Sequence, residues 1–102
     1  MAIRPNIQSP LRLADGKLTV RGESDLPLFD VLQVVVVQKG KRADGNGEGE
    51  EIAEGPPKRP SVNWRAVLTA TDFETGDAEA LGVEIRVNPF EVTSWTQSVK
   101  IT

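Results

Sequence analysis

The sequence predicts an all-β domain, a two-sheet antiparallel sandwich of about seven strands, and three observations carry that expectation. Apolar residues recur with a period of two along most of the chain. Val, Ile and Thr supply 24 of the 102 residues, the β-branched enrichment that suits a pleated, half-buried surface. No window of about 11 or more residues sets its apolar positions on a helical stripe.

The elements follow in chain order. Ile7 to Leu13 reads as an edge strand interrupted by Pro10, because proline has no N–H to give to a ladder. Asp15-Gly16 suits a hairpin turn, after which Leu18 and Val20 share a face against Lys17, Thr19 and Arg21. Phe29 to Gln38 is apolar on both faces, with Val31, Val35 and Val37 on one and Leu32, Val34 and Val36 on the other, so it is expected as a central strand. Val62, Trp64, Ala66, Leu68 and Ala70 alternate most cleanly, with Asn63, Arg65 and Thr69 opposite. Thr75-Gly76-Asp77 suits a turn, Leu81, Val83, Ile85 and Val87 share the next inner face, and Asn88-Pro89 ends that strand. Trp95, Val99 and Ile101 then oppose Thr96, Ser98 and Lys100. That makes at least six strands.

One segment breaks the alternation. Lys39 to Pro60 holds five of the nine Gly, three of the seven Pro, ten charged residues and only three apolar ones, Ala43, Ile52 and Ala53. Such a composition buries too little apolar surface to offset its ordering entropy. A disordered or mobile loop is therefore expected at 39–60, inside a single domain spanning 1–102, with a seventh strand only if a short one lies in that loop.

Size and composition bound the function. A chain of this mass can bury about 65% of its unfolded surface, enough for one core. With neither Cys nor His, disulfides, thiol nucleophiles, Ser-His pairs and the zinc and haem sites built on those ligands are excluded. The longest apolar run, Val34 to Val37, is far short of the roughly 20 residues that cross a bilayer as a helix, so no membrane insertion is expected. The start of the chain lacks the apolar stretch of a signal peptide. A cytoplasmic location is expected if the chain is complete, and an extracellular one if it is an excised domain of a secreted protein.

The opening Ile7-Gln8-Ser9-Pro10, the run Leu18-Thr19-Val20-Arg21-Gly22-Glu23-Ser24, Trp64-Arg65-Ala66 at a strand opening and Gly76 before a strand resemble bacterial immunoglobulin-like and fibronectin type III-like modules. The resemblance covers nearly the whole chain outside 39–60 and implies an immunoglobulin-like sandwich. Modules of this kind act as spacers or as adhesive and interaction domains, so a noncatalytic role with a protein partner or neighbouring domains is expected.

Motifs with chemistry are few. Asp44-Gly45-Asn46-Gly47-Glu48-Gly49-Glu50-Glu51 resembles the start of a calcium loop, but position 12, where a bidentate Glu belongs, falls on Gly55. No metal is expected there. Gly45, Gly47 and Gly49 lack the Lys and the following helix that would aim amides at a phosphate. Lys39, Lys41 and Arg42 on one side and Lys58 and Arg59 on the other bracket acidic residues and are expected to be neutralised by them, so no nucleic acid is expected as partner. Asp30, Asp72, Glu74 and Asp77 near strand ends are expected as turn formers rather than as a general acid and base. No catalytic residue and no cofactor is expected. Trp64 is expected in the core. Trp95 shares its face with Thr93 and Gln97 as well as with Val99 and Ile101, so it is read as core or, with Thr93 and Gln97, as a contact surface. In that second role it would serve a carbohydrate- or ligand-binding module together with the loops at one sandwich end.

Overall fold

The computed structural model describes residues 6–25, 33–55, 59–88 and 91–102. The described residues form the strand segments β1 (Asn6–Ile7), β2 (Arg12–Ala14), β3 (Lys17–Asp25), β4 (Gln33–Gln38), β5 (Lys41–Gly45), β6 (Gly47–Gly55), β7 (Arg59–Thr69), β8 (Gly76–Asn88) and β9 (Glu91–Ile101). β1 and β2 pair with successive parts of β3 and form one edge broken at Pro10, as expected. One sheet therefore runs β1/β2–β3–β7–β6 and the other β5–β4–β8–β9, with every strand pairing antiparallel. The two sheets face each other as an antiparallel sandwich. Residues 29–32 of the expected central strand and residues 56–58 of the expected loop lie outside the described residues, and no described helix is long and apolar enough to cross a membrane.

The alternating residues meet between the sheets. Leu18 and Val20 of β3 and Trp64, Ala66 and Leu68 of β7 form one wall, and Val34, Val36, Leu81, Val83, Ile85, Trp95, Val99 and Ile101 form the other. All are at most 8% exposed, and burying each of the larger aliphatic side chains stabilises the fold by about 1.5–3 kcal/mol. β4 is central, as its two apolar faces predict. Its outward Val35 is only 1% exposed. Arg42 of β5 reaches across β4 to Glu84 of β8, at 3.6 Å, and the stems of this pair give cover to that second face.

Where the composition of 39–60 leads one to expect a mobile loop, the described residues 41–45, 47–55 and 59–60 lie in strands. Lys39 and Gly40, at φ 50° and 82°, make the two-residue turn that the strand twist favours, and β5 returns along β4. After Asn46 alone, the chain enters the opposite sheet as β6 and pairs with β7. The physical reason is position. β5 and β6 are the outer strands of their sheets, where little apolar surface need be buried and charge protects an open edge. Ala43 is the one buried apolar residue of β5. The sheet-to-sheet step also explains a glycine, since a Cβ at Gly45 would lie 2.5 Å from the Val67 carbonyl oxygen.

Two ties close the ends of the sandwich. The Gln38 side chain, 2% exposed, donates from Nε2 to the Glu74 carbonyl (3.0 Å) and to Glu79 Oε2 (3.0 Å), and its Oε1 accepts from the Glu74 N–H (2.9 Å). This amide joins the end of β4 to the segment that crosses from β7 to β8. After Pro10, Leu11 turns to the other sheet and bridges Ile101 in parallel. Leu11 N–H donates to Lys100 O (2.8 Å), Thr102 N–H to Leu11 O (2.9 Å), and Leu13 N–H to Thr102 O (2.8 Å).

Candidate interaction surfaces

Trp95, Thr93 and Gln97 lie on the inner face of β9, with Trp95 and Thr93 buried and Gln97 half-buried, which agrees with the core reading of Trp95 and not with the contact-surface alternative. Trp95 is 8% exposed and Thr93 6%. The indole N–H of Trp95 donates to Gln97 Oε1 at 3.1 Å, and Gln97 Nε2 donates to the Ile7 carbonyl at 3.2 Å. Gln97 thus supplies the partner that a buried indole needs and links β9 to β1 at the margin of the sandwich. The mixed polarity around Trp95 reflects this margin rather than an outward face. Trp64 is buried as expected; its Nε1 and the Thr93 hydroxyl are buried without a hydrogen-bond partner among the described residues.

The stretch resembling a calcium loop is extended. Asp44 belongs to β5, Asn46 to the crossover and Glu48 to β6, all exposed. In a strand, alternate residues lie about 6–7 Å apart along a line, so their oxygens do not wrap round an ion. Among the described residues no cluster of acidic side chains is placed to hold a metal. Gly45, Gly47 and Gly49 likewise sit in strands.

In the first basic cluster, Lys39 and Arg42 meet carboxylates of the segment 74–84 rather than those of the intervening stretch, and Lys41 meets a backbone carbonyl. Lys39 approaches Glu74 (3.9 Å) and Glu79 (3.6 Å), Arg42 approaches Glu84, and Lys41 Nζ donates to the Asp72 carbonyl at 2.8 Å. The antiparallel return of β5 brings it beside β8 through β4, which sequence distance conceals. Lys58 lies outside the described residues, as does Asp30. Asp77 meets Lys100 at 3.9 Å. Such exposed pairs contribute little to stability, and they set the carboxylates of Glu74 and Asp77 against cations rather than against one another.

A feature the sequence did not disclose lies on the outer face of the first sheet. Pro10, Arg12, Thr19, Arg21, Arg65 and Val67 line a groove of about 370 Å³. Register builds it: Arg12 stands opposite Thr19, Arg21 opposite Arg65, and Thr19 opposite Val67. Two arginines directly opposed across a ladder repel, and Glu48 faces Arg65 from the other side in β6. Arg65 and Val67 continue into a second hollow of about 260 Å³ with Asn46 and Glu48. The outward positions of Thr19, Arg21 and Arg65 follow from alternation, but the convergence of residues 12, 21 and 65 follows only from the pairing of β2, β3 and β7. The chain matches no known protein family, no curated protein and no solved structure.

Proposed function

We propose that the chain is a noncatalytic immunoglobulin-like module that spaces or docks other protein units. The observation that carries this reading is the parallel tie between Leu11 and Ile101. Because β2 and β9 run in the same direction there, the chain enters at one end of the sandwich and leaves at the other, which lets units follow one another in line. The strand order supports the immunoglobulin-like assignment: β1/β2–β3–β7–β6 and β5–β4–β8–β9 correspond to A-B-E-D and C′-C-F-G of that arrangement. The arginine-lined groove offers the docking face. The alternative of a carbohydrate-binding module loses the residue on which it rested, since the Trp95 ring is buried.

A single-molecule force measurement on the protein held at its two ends tests the spacer reading. Force along the parallel strands loads the bonds of Leu11, Leu13 and Thr102 together. The protein should resist extension until they fail in one step. Leu13→Pro removes the N–H given to Thr102 while leaving the sheet signal in circular dichroism, and should lower the rupture force. Extension of the unaltered protein at the lowest loads would count against a spacer.

A further inference from the structure

We infer that the free edge of β9 pairs antiparallel with β9 of a second copy of this chain. The inference rests on a comparison of the four sheet edges and does not depend on the spacer reading. Natural edges are protected by charge, proline, bulges or shortness. The β1/β2 edge is broken at Pro10, and its second half is tied to β9. β5 is five residues long and exposes Lys41, Arg42 and Asp44. β6 carries Glu48, Glu50, Glu51 and Glu54, with a shift of register between Gly49 and Glu51. β9 has none of these devices from Val92 to Val99: no charge, no proline, and continuous pairing with β8 from Arg86↔Val92 to Glu79↔Val99.

Backbone parity says which groups are on offer. The Lys100 carbonyl accepts from Leu11 and the Lys100 N–H donates to Ser9 Oγ, so Lys100 turns its backbone away from β8. Backbone groups alternate along a strand. Val92, Ser94, Thr96 and Ser98 therefore also turn their N–H and C=O outward, and no backbone partner for them is seen among the described residues. Leu11 and Ser9 cover the edge from Lys100 onward, and among the described residues none pairs with the backbone of Val92 to Ser98 on this side.

This stretch is self-complementary. Its midpoint is Trp95, and an antiparallel copy centred there sets Val92 opposite Ser98 and Ser94 opposite Thr96, outward group against outward group. The side chains beside the seam are Val92, which is 43% exposed, and small hydroxyl residues. An uncharged strand meets its own copy without repulsion. The second sheet then continues across a twofold axis, β5–β4–β8–β9 followed by β9–β8–β4–β5 of the partner.

Sedimentation from micromolar to about millimolar protein, with amide exchange measured at both limits, tests this. The expected result is a monomer–dimer equilibrium, in which the amides of Ser94, Thr96 and Ser98 become protected with concentration while those of Thr93, Trp95 and Gln97 are protected throughout. Thr96→Pro removes an N–H that points away from β8, a position where an edge strand tolerates proline. It should leave the β spectrum intact and weaken dimerisation by at least about tenfold, or about 1.4 kcal/mol. A Ser94→Lys variant should act in the same direction. A chain that stays monomeric over this range, or a folded Thr96→Pro protein that dimerises as well as its parent, would overturn the inference.

Discussion

β4 and β5 are the two arms of one hairpin, hydrogen-bonded from Val34↔Gly45 to Gln38↔Lys41, yet one is Gln-Val-Val-Val-Val-Gln and the other Lys-Arg-Ala-Asp-Gly. β4 has a strand on each side and both faces covered; β5 has a partner on one side only. The difference teaches that composition reports a strand's place in its sheet as much as its existence. The charged arm also serves the apolar one, because the Arg42–Glu84 pair lies over the face where Val35 would otherwise meet water.

The largest test replaces residues 41–58 with a short Gly-Ser linker. A true loop would tolerate this, since closure entropy changes by only about 0.6 kcal/mol per doubling of length. As the segment supplies the outer strand of each sheet, the cooperative β signal in circular dichroism is expected to be lost. Retention of a native melt would break the comparison.

Trp95→Ala sharpens it from the opposite edge. β9 is also an outer strand, but its inner face carries a large ring where β5 has Ala43, so truncation should cost about 3–5 kcal/mol in denaturant unfolding. In a Trp64→Phe background, the remaining indole should emit at short wavelength and be quenched poorly by acrylamide. Gly45→Ala comes next. The added Cβ meets backbone, which no rotamer can relieve, and the expected loss is about 1–3 kcal/mol, as for other overpacked sites. The smallest effect has the opposite sign: Thr93→Val replaces a buried hydroxyl that has no partner among the described residues and should raise stability by about 1 kcal/mol. A loss there would mean that the hydroxyl is satisfied.

These contrasts explain what was legible in the sequence. β3, β7 and β8 announced themselves because alternate apolar residues are buried in each, Leu18 and Val20, then Trp64, Ala66 and Leu68, then Leu81, Val83 and Ile85, and Asp15-Gly16 has the residues that its turn conformation requires, at φ 53° and 72°. Lys39-Gly40 makes the same kind of turn with a residue that gives no such signal. β5 and β6 were hidden because an outer strand and a solvated loop draw on the same residues. Trp95 was half legible: the period of two placed it inward with Val99 and Ile101, but Thr93 and Gln97 suggested water, and the Gln97 bond to the Ile7 carbonyl could not be read from β9 alone. The arginine groove was illegible for a different reason. Alternation assigns a face to each residue of a strand but says nothing about which strand lies alongside.

The parallel tie also has a consequence in time. Leu11 and Thr102 are bonded to each other although 91 positions separate them. At a synthesis rate of about 5–20 residues per second, roughly 5–20 s pass between making the first partner and making the second. Throughout that interval Leu11 lacks its seat beside Ile101, and the first sheet cannot be closed against the second along this margin. Leu11 and Leu13 therefore reach their places only after β9 has left the ribosome, the earlier partner waiting for the later one.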